Sequence, residues 1–115
     1  MGKLHENPRQ PVREGKKITV GKVTDLPQGR GATVELKDGS EIALFNVGGK
    51  FHAIENFCPH KAATLADGSL RGQIIECSRH GWKFDVTTGE CFNSRSCSIE
   101  AYEVIVEDEM IKILV

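Results

Sequence analysis

No stretch of this chain approaches the roughly 20 consecutive apolar residues that a membrane-spanning helix needs. The opening Met1-Gly2-Lys3-Leu4-His5-Glu6 has none of the apolar core that a secretion signal carries. Membrane and secreted classes are therefore not expected, and the expected location is cytoplasmic. Gly2 does not restore a lipid anchor, because the myristoylation pattern wants Ser or Thr where this chain has Glu6. Excess charge of one sign is also missing: 15 Lys and Arg against 16 Asp and Glu leave a net charge of -1, so no general attraction to nucleic acid or to an anionic membrane is implied. Helical patterning is absent too, since no window holds an apolar stripe at helical spacing over three turns. With 39% hydrophobic residues, 12 Gly and only 4 Pro, the composition excludes disorder and collagen and leaves a turn-rich globular chain. Its 115 residues make about one domain, large enough for one core.

The charge that is present is unevenly spread. Residues 1 to 50 hold nine basic and six acidic side chains, whereas residues 51 to 115 hold six and ten. Much of the late acidity lies in Glu100, Glu103, Glu107, Asp108 and Glu109, which reads as a solvated strand face and turn rather than a docking surface. The segment 1 to 16 is polar, contains Pro8 and Pro11 and has no periodicity, so it reads as a flexible tail. From residue 17 onward come short runs rich in β-branched residues: 18–23, 32–37, 41–47 and 50–55. Asp38-Gly39 and Gly48-Gly49 separate such runs as two-residue hairpin loops that supply positive φ angles, so these four strands are expected to connect locally. After Phe57 the apolar side chains thin out into loops, with strands expected again at 73–77 and 82–86, a turn at Thr88-Gly89, and a final hairpin of 99–106 with 110–115 around residues 107–109. Short strands at close spacing argue for an all-β antiparallel sandwich or small barrel, in one domain over 17–115.

Two of the four cysteines and two of the four histidines fall in an ordered arrangement: Cys58-Pro59-His60, sixteen intervening residues, then Cys77-Ser78-Arg79-His80. Each pair offers one thiolate and one imidazole, so two loops brought together would present two sulfurs and two nitrogens to a metal. A disulfide between Cys58 and Cys77 competes with that reading, although cytosolic disulfides are uncommon. A tetrahedral zinc site competes more seriously, but the usual zinc finger keeps its cysteines in one pair and its histidines in the other, whereas both pairs here are mixed. The third possibility is a Rieske-type [2Fe-2S] cluster, in which one iron takes two cysteines and the other two histidines.

Through Cys58-Pro59-His60, and through Cys77-Ser78-Arg79-His80-Gly81-Trp82-Lys83-Phe84-Asp85 followed by Thr88-Gly89, the chain resembles the Rieske ferredoxin family over roughly residues 17 to 115. The resemblance implies a Rieske-type antiparallel β-sandwich or barrel with a cluster-binding subdomain formed by two loops, at about 57–84. It makes Cys58 and Cys77 the ligands of a buried iron, and His60 and His80 the ligands of an outer iron near the surface. Such a cluster is neutral when oxidised, two charges less negative than a four-thiolate cluster, which places Rieske potentials at roughly -150 to +300 mV. Loss of imidazole protons at alkaline pH would lower the potential. The high-potential branch, found in quinol-oxidising respiratory complexes, carries an extra cysteine in each ligand loop and a Ser after the Gly of the second motif. Here Lys61-Ala62-Ala63, Ser78 and Trp82 stand at those places, so the resemblance is to the low-potential soluble branch.

The remaining side chains have quieter expectations. Cys97 reads as a small buried hydrophobe and Cys91 as a partly exposed free thiol, with a Cys91–Cys97 disulfide as the alternative. His5 and His52 read as non-ligands, and Trp82 and Phe84 as packing under the second loop. A filled ligand set leaves no vacant site for bond chemistry, so the expectation is an electron carrier rather than an enzyme. The family resemblance implies transfer from a flavin-containing reductase to a terminal oxygenase. The alternative is the small subunit of a cytosolic NADH-dependent nitrite reductase, which Ser96-Cys97-Ser98-Ile99 and Tyr102-Glu103-Val104 resemble, and a structural zinc-binding interaction module is the third reading. The expected docking face surrounds His60 and His80 and is flanked by Lys61, Arg71, Arg79 and Lys83. It suits a partner surface of acidic character, with no nucleic acid and no membrane.

Overall fold

The computed structural model describes residues 16–57, 64–78, 81–93 and 97–115. β1 (Lys17–Lys22) leads through a single 3-10 turn (Val23–Asp25) to β2 (Gly31–Glu35), β3 (Glu41–Val47) and β4 (Lys50–Glu55). β5 (Ser69–Arg71), β6 (Ile74–Glu76) and β7 (Lys83–Asp85) follow, and β8 (Ala101–Tyr102), β9 (Val104–Glu107) and β10 (Met110–Leu114) complete the order. They form three antiparallel sheets, ordered β1-β10-β9, β2-β3-β4-β8 and β5-β6-β7.

The four-stranded sheet is the middle layer, and β3 shows why. Its residues Ile42, Ala43, Leu44, Phe45 and Asn46 are buried in succession, the mark of a strand covered on both faces. Because successive side chains point to opposite faces, Ile42 and Leu44 join Ala53, Tyr102, Ile111 and Ile113 in one core. Ala43 and Phe45 join Ile54, Leu65, Ile75, Phe84 and Val86 in the other. The first core closes onto the sheet that contains β10, and the second onto the small sheet β5-β6-β7, which carries the candidate site.

β3 and β4 fall where the hydrophobic pattern puts them, and their turn at Gly48 (φ 60°) and Gly49 (φ 94°) is the expected two-residue loop. Asp38-Gly39 differs. Leu36 N–H donates to Ser40 O at 2.8 Å and Gly39 N–H to Leu36 O at 3.0 Å, so the loop holds three residues and Gly39 (φ 92°) takes the left-handed bulge position of that longer hairpin. β1 does not join its neighbour in sequence. It pairs with β10, and the pairing extends to Lys16, whose N–H donates to Val115 O at 3.0 Å while Val115 N–H donates to Lys16 O at 2.8 Å. The boundary expected between 16 and 17 thus falls inside a ladder, while residues 1–15 of the expected tail lie outside the described residues. The run 99–106 is likewise two strands: β8 pairs with β4 in the middle sheet and β9 with β10 in another, with the change at Glu103.

Glu103, Glu107, Asp108 and Glu109 form a solvated face and turn as expected, whereas Glu100 is half-buried. Glu107 is bridged by Lys112 at 3.1 Å and Lys17 at 3.3 Å, and Glu103, Asp108 and Glu109 are exposed. The β9–β10 loop consists of Asp108 (φ 53°) and Glu109 (φ 65°), both in the left-handed region that costs a residue with a Cβ roughly 1–2 kcal/mol. Asn and Gly are the residues such a loop favours. Replacing the pair, Asp108→Asn with Glu109→Gly, is therefore expected to stabilise the protein by about 1 kcal/mol. A raised midpoint of thermal unfolding would show it, and a lowered one would show that the loop carries no such strain.

Candidate metal centre

The second Cys-His loop hangs from the β6–β7 hairpin. Ile75 and Phe84 face each other across that hairpin and are fully buried, anchoring it to the middle sheet. Directly after β6, Cys77 is a free thiol, 1% exposed. Its N–H donates to Trp82 O at 2.7 Å and its carbonyl accepts from Gly81 N–H at 3.0 Å, so two backbone bonds tie Cys77 to Gly81 and Trp82 at the base of the loop. Gly81 (φ 71°) permits the closure, because its left-handed backbone is one that residues with a Cβ rarely adopt. Two further bonds pin the exit of the loop: Lys83 N–H donates to Asn93 Oδ1 at 2.9 Å, and Phe92 N–H to Lys83 O at 2.9 Å.

The first loop leaves the middle sheet at the end of β4. Asn56 follows, and its Oδ1 accepts the N–H groups of Leu65 at 2.7 Å and Ala66 at 2.8 Å. The chain is therefore gathered again nine residues after it left. Cys58 and His60 in this loop, and His80 in the other, lie outside the described residues, as do Lys61 and Arg79. Among the described residues no group of three or more His, Cys, Asp or Glu side chains is arranged to hold a metal.

Cys97 is a free thiol, so no disulfide joins it to Cys91. Cys91 is buried rather than partly exposed, because its backbone bridges to Phe84 and carries it into the same core as Cys77. Phe84 is fully buried and Trp82 packs partly buried against that core. Arg71 and Lys83 are both exposed, but they do not share one end of the sheet. Arg71 pairs with Ile74 beside the turn, whereas Lys83 pairs with Glu76 beside Cys77, so Arg71 lies away from the loop it was expected to flank. In its place is Phe92, 54% exposed and bonded through its backbone to Lys83. Sequence reasoning missed Phe92, whose only signal is an aromatic in a turn-rich stretch, and it missed Asn56 and Asn93, since Asn there reads as an ordinary loop residue.

His5 lies outside the described residues, and His52 stands on β4 opposite Phe45. Burial holds the His52 imidazole below its ordinary pKa, Asp85 draws it up and Lys50 pushes it down. For Asp85, burial is the largest influence and raises the pKa. The hydrogen bonds from Thr87 and Gln73 and the field of His52 together outweigh it and hold the carboxyl below its usual range.

These features belong to a known class. The chain matches the family of Rieske [2Fe-2S] domains over residues 16–103, and it belongs to that family. It is 40% identical over 85 residues to the ferredoxin component of the naphthalene 1,2-dioxygenase/salicylate 5-hydroxylase systems of Ralstonia sp., covering 73% of this chain and 81% of the relative. The fold matches a chain in the complex of reduced oxygenase and oxidized ferredoxin of carbazole 1,9a-dioxygenase, with a TM-score of 0.81, 29% identity, and 88% and 94% of the two chains covered. It also matches a Mycobacterium tuberculosis protein provisionally assigned as an NADH-dependent nitrite reductase small subunit, with a TM-score of 0.80, 25% identity, and 91% and 97% covered.

The group this family's domain holds is a [2Fe-2S] cluster, and the described residues fit it. Cys77 presents an unbridged, buried thiol at a loop closed by backbone bonds, and cysteine sulfur is the donor that iron-sulfur clusters require. The family match favours iron and sulfide over the zinc alternative.

Because both His52 and Asp85 have lowered pKa values, each contributes stability that is present above its unfolded value and is lost as the pH falls through its folded one. His52 is expected to titrate below the ordinary histidine range, and Asp85→Asn to lower it further by removing the attraction. Following the ring protons by NMR against pH checks this, and an upward shift in the variant would contradict it.

Proposed function

We propose that this chain is a one-electron carrier in which Cys58, His60, Cys77 and His80 hold one [2Fe-2S] cluster, the two cysteines on one iron and the two histidines on the other. It takes electrons from a flavin-containing reductase and passes them to a terminal oxygenase. The observation that carries this reading is the likeness, over 73% of this chain, to a relative named as the ferredoxin component of the naphthalene 1,2-dioxygenase/salicylate 5-hydroxylase systems. When bound, the cluster supplies a site that accepts and releases one electron at a potential expected near the lower end of roughly -150 to +300 mV. The rest is done by the chain itself. The backbone bonds that tie Cys77 to Gly81 and Trp82 hold the Cys77 thiol in the core, away from water, while Gly81 and Asn93 fix where the loop returns to β7. With the ligand positions filled by protein there is no open site for substrate, so the chain is an electron-transfer component and the bond chemistry belongs to its partner.

A place as the small subunit of an NADH-dependent nitrite reductase is the second reading, favoured by the Mycobacterium tuberculosis structure. A cytoplasmic location belongs to the same proposal and is supported by the free thiol of Cys97, which suits a reducing compartment. The exposed Lys83 and Phe92, side by side next to the Cys77 loop, supply a charge and an apolar anchor for docking.

The test is stopped-flow reduction of the protein by the flavoprotein reductase of a naphthalene dioxygenase system, followed by delivery to that system's oxygenase. Transfer in both steps is expected, and transfer in neither, with tight association to a nitrite reductase large subunit, would favour the second reading. Lys83→Glu is expected to slow the bimolecular step at low salt and to weaken its salt dependence, whereas Phe92→Ala slows it with the salt dependence kept. Unchanged rates in both variants would remove this face from the docking site.

A further inference from the structure

We infer that Asn56 is a positioning residue for the first ligand loop, closing the loop at its base and setting it against the base of the second. The inference rests on the proposed assignment of Cys58, His60, Cys77 and His80 as ligands.

Asn56 is 5% exposed and all the hydrogen-bonding capacity of its amide is used. Oδ1 accepts from Leu65 and Ala66 N–H, and Nδ2 donates to Thr33 Oγ1 at 3.0 Å and to Glu41 Oε1 at 3.2 Å. Its own N–H donates to Glu41 O at 3.1 Å. The donor half of the amide thus grips the middle sheet, and the acceptor half grips the far end of the loop. Asn56 joins the two described ends between which Cys58 and His60 lie in the sequence.

The base then reaches the second loop. Leu65 O accepts from Gly68 N–H at 3.0 Å, forming a turn that lays Gly68 directly on the backbone carbonyl of Glu76, so closely that a Cβ at 68 would run into that oxygen. Glu76 precedes Cys77. Leu65 and Cys77 are also buried in the same core. A line of contacts therefore runs from Asn56 through Leu65 and Gly68 to Glu76, and joins the start of one ligand loop to the start of the other. Removing the amide leaves two N–H groups at the loop's return without their acceptor, a loss felt first where the loop closes.

The molecule contains its own control. Asn46 is equally buried, and it donates to Leu26 O at 2.7 Å and accepts from Gly49 N–H at 2.8 Å, but it braces the opposite end of β3, away from both ligand loops.

The experiment follows iron release from the loaded full-length protein to a colorimetric chelator under native conditions, together with the electron paramagnetic resonance spectrum of the reduced state. Asn56→Ala is expected to release iron roughly 10-fold faster or more, the size of effect seen when supports of metal ligands are lost, and to shift the spectrum. Asn46→Ala is expected to lower the unfolding midpoint while keeping the wild-type release rate and spectrum. The double variant Asn56→Asp with Glu41→Gln keeps the acceptor and restores a donor beside it, so it is expected to behave as wild type. Equal acceleration by Asn56→Ala and Asn46→Ala, or acceleration by neither, overturns the inference. If Asn56→Ala does not fold, the double variant decides: slow release supports the role and fast release overturns it. Wild-type protein without iron and sulfide would instead refute the ligand assignment. The closure of the loop is then read from amide exchange at Leu65 and Ala66, which Asn56→Ala must accelerate and Asn46→Ala must not. Unaltered protection in Asn56→Ala overturns the closure itself.

Discussion

Burial of the β3–β4 hairpin on both faces is the constraint through which each layer of the molecule is held. Alternate side chains of β3 enter opposite cores, so the strand that seats Ile111 and Ile113 on one side seats Ile75 and Phe84 on the other. Emptying a fully buried Phe or Ile position in such a strand costs several kcal/mol, about 2–5 for truncation to Ala. That cost keeps the small sheet β5-β6-β7 in place, since strands of three residues have little ladder of their own to hold them.

The site inherits this dependence. Cys77 follows immediately on a strand whose central residue, Ile75, is locked into the core, and its loop is closed by backbone bonds rather than by side chains of its own. The first loop begins where β4 ends, and an amide side chain stands on either side where strand pairing stops: the buried Asn56 before it and the exposed Asn93 beyond the second loop. Buried polar groups must be paired, and here the pairing does a second task by fixing where the ligand segments leave and return. The exposed side chains beside Cys77, Lys83 and Phe92, are then positioned by the same bonds that close the loop.

Much of this is legible in the sequence, for specific reasons. The largely apolar run at 41–47 reads as a strand and Gly48-Gly49 as a tight turn to the next one, while the cover on both faces of Ile42 to Asn46 shows only in the structure. The paired Cys and His motifs pointed to a metal because few other pressures place those four side chains at that spacing. What escaped was long-range. Pairing of β1 with β10 depends on which edges remain free once the hairpins have formed, and local periodicity is blind to that. The change of sheet at Glu103 occurs within one uninterrupted run of strand-forming residues. Ser69-Leu70-Arg71 is too short and too poor in β-branched residues to signal a strand, and without that strand nothing in the sequence places Arg71 at the turn end of the small sheet. Burial of Cys91 and the role of Asn56 arise only from tertiary contacts.

The chemistry of the two loops is most directly tested by assaying iron, zinc and acid-labile sulfide in freshly purified protein. Low-temperature electron paramagnetic resonance after dithionite reduction completes the measurement. Iron and sulfide in the two-to-two ratio of the [2Fe-2S] cluster, with a rhombic signal in the reduced state, is the predicted result. A colourless protein holding zinc and no sulfide would contradict it.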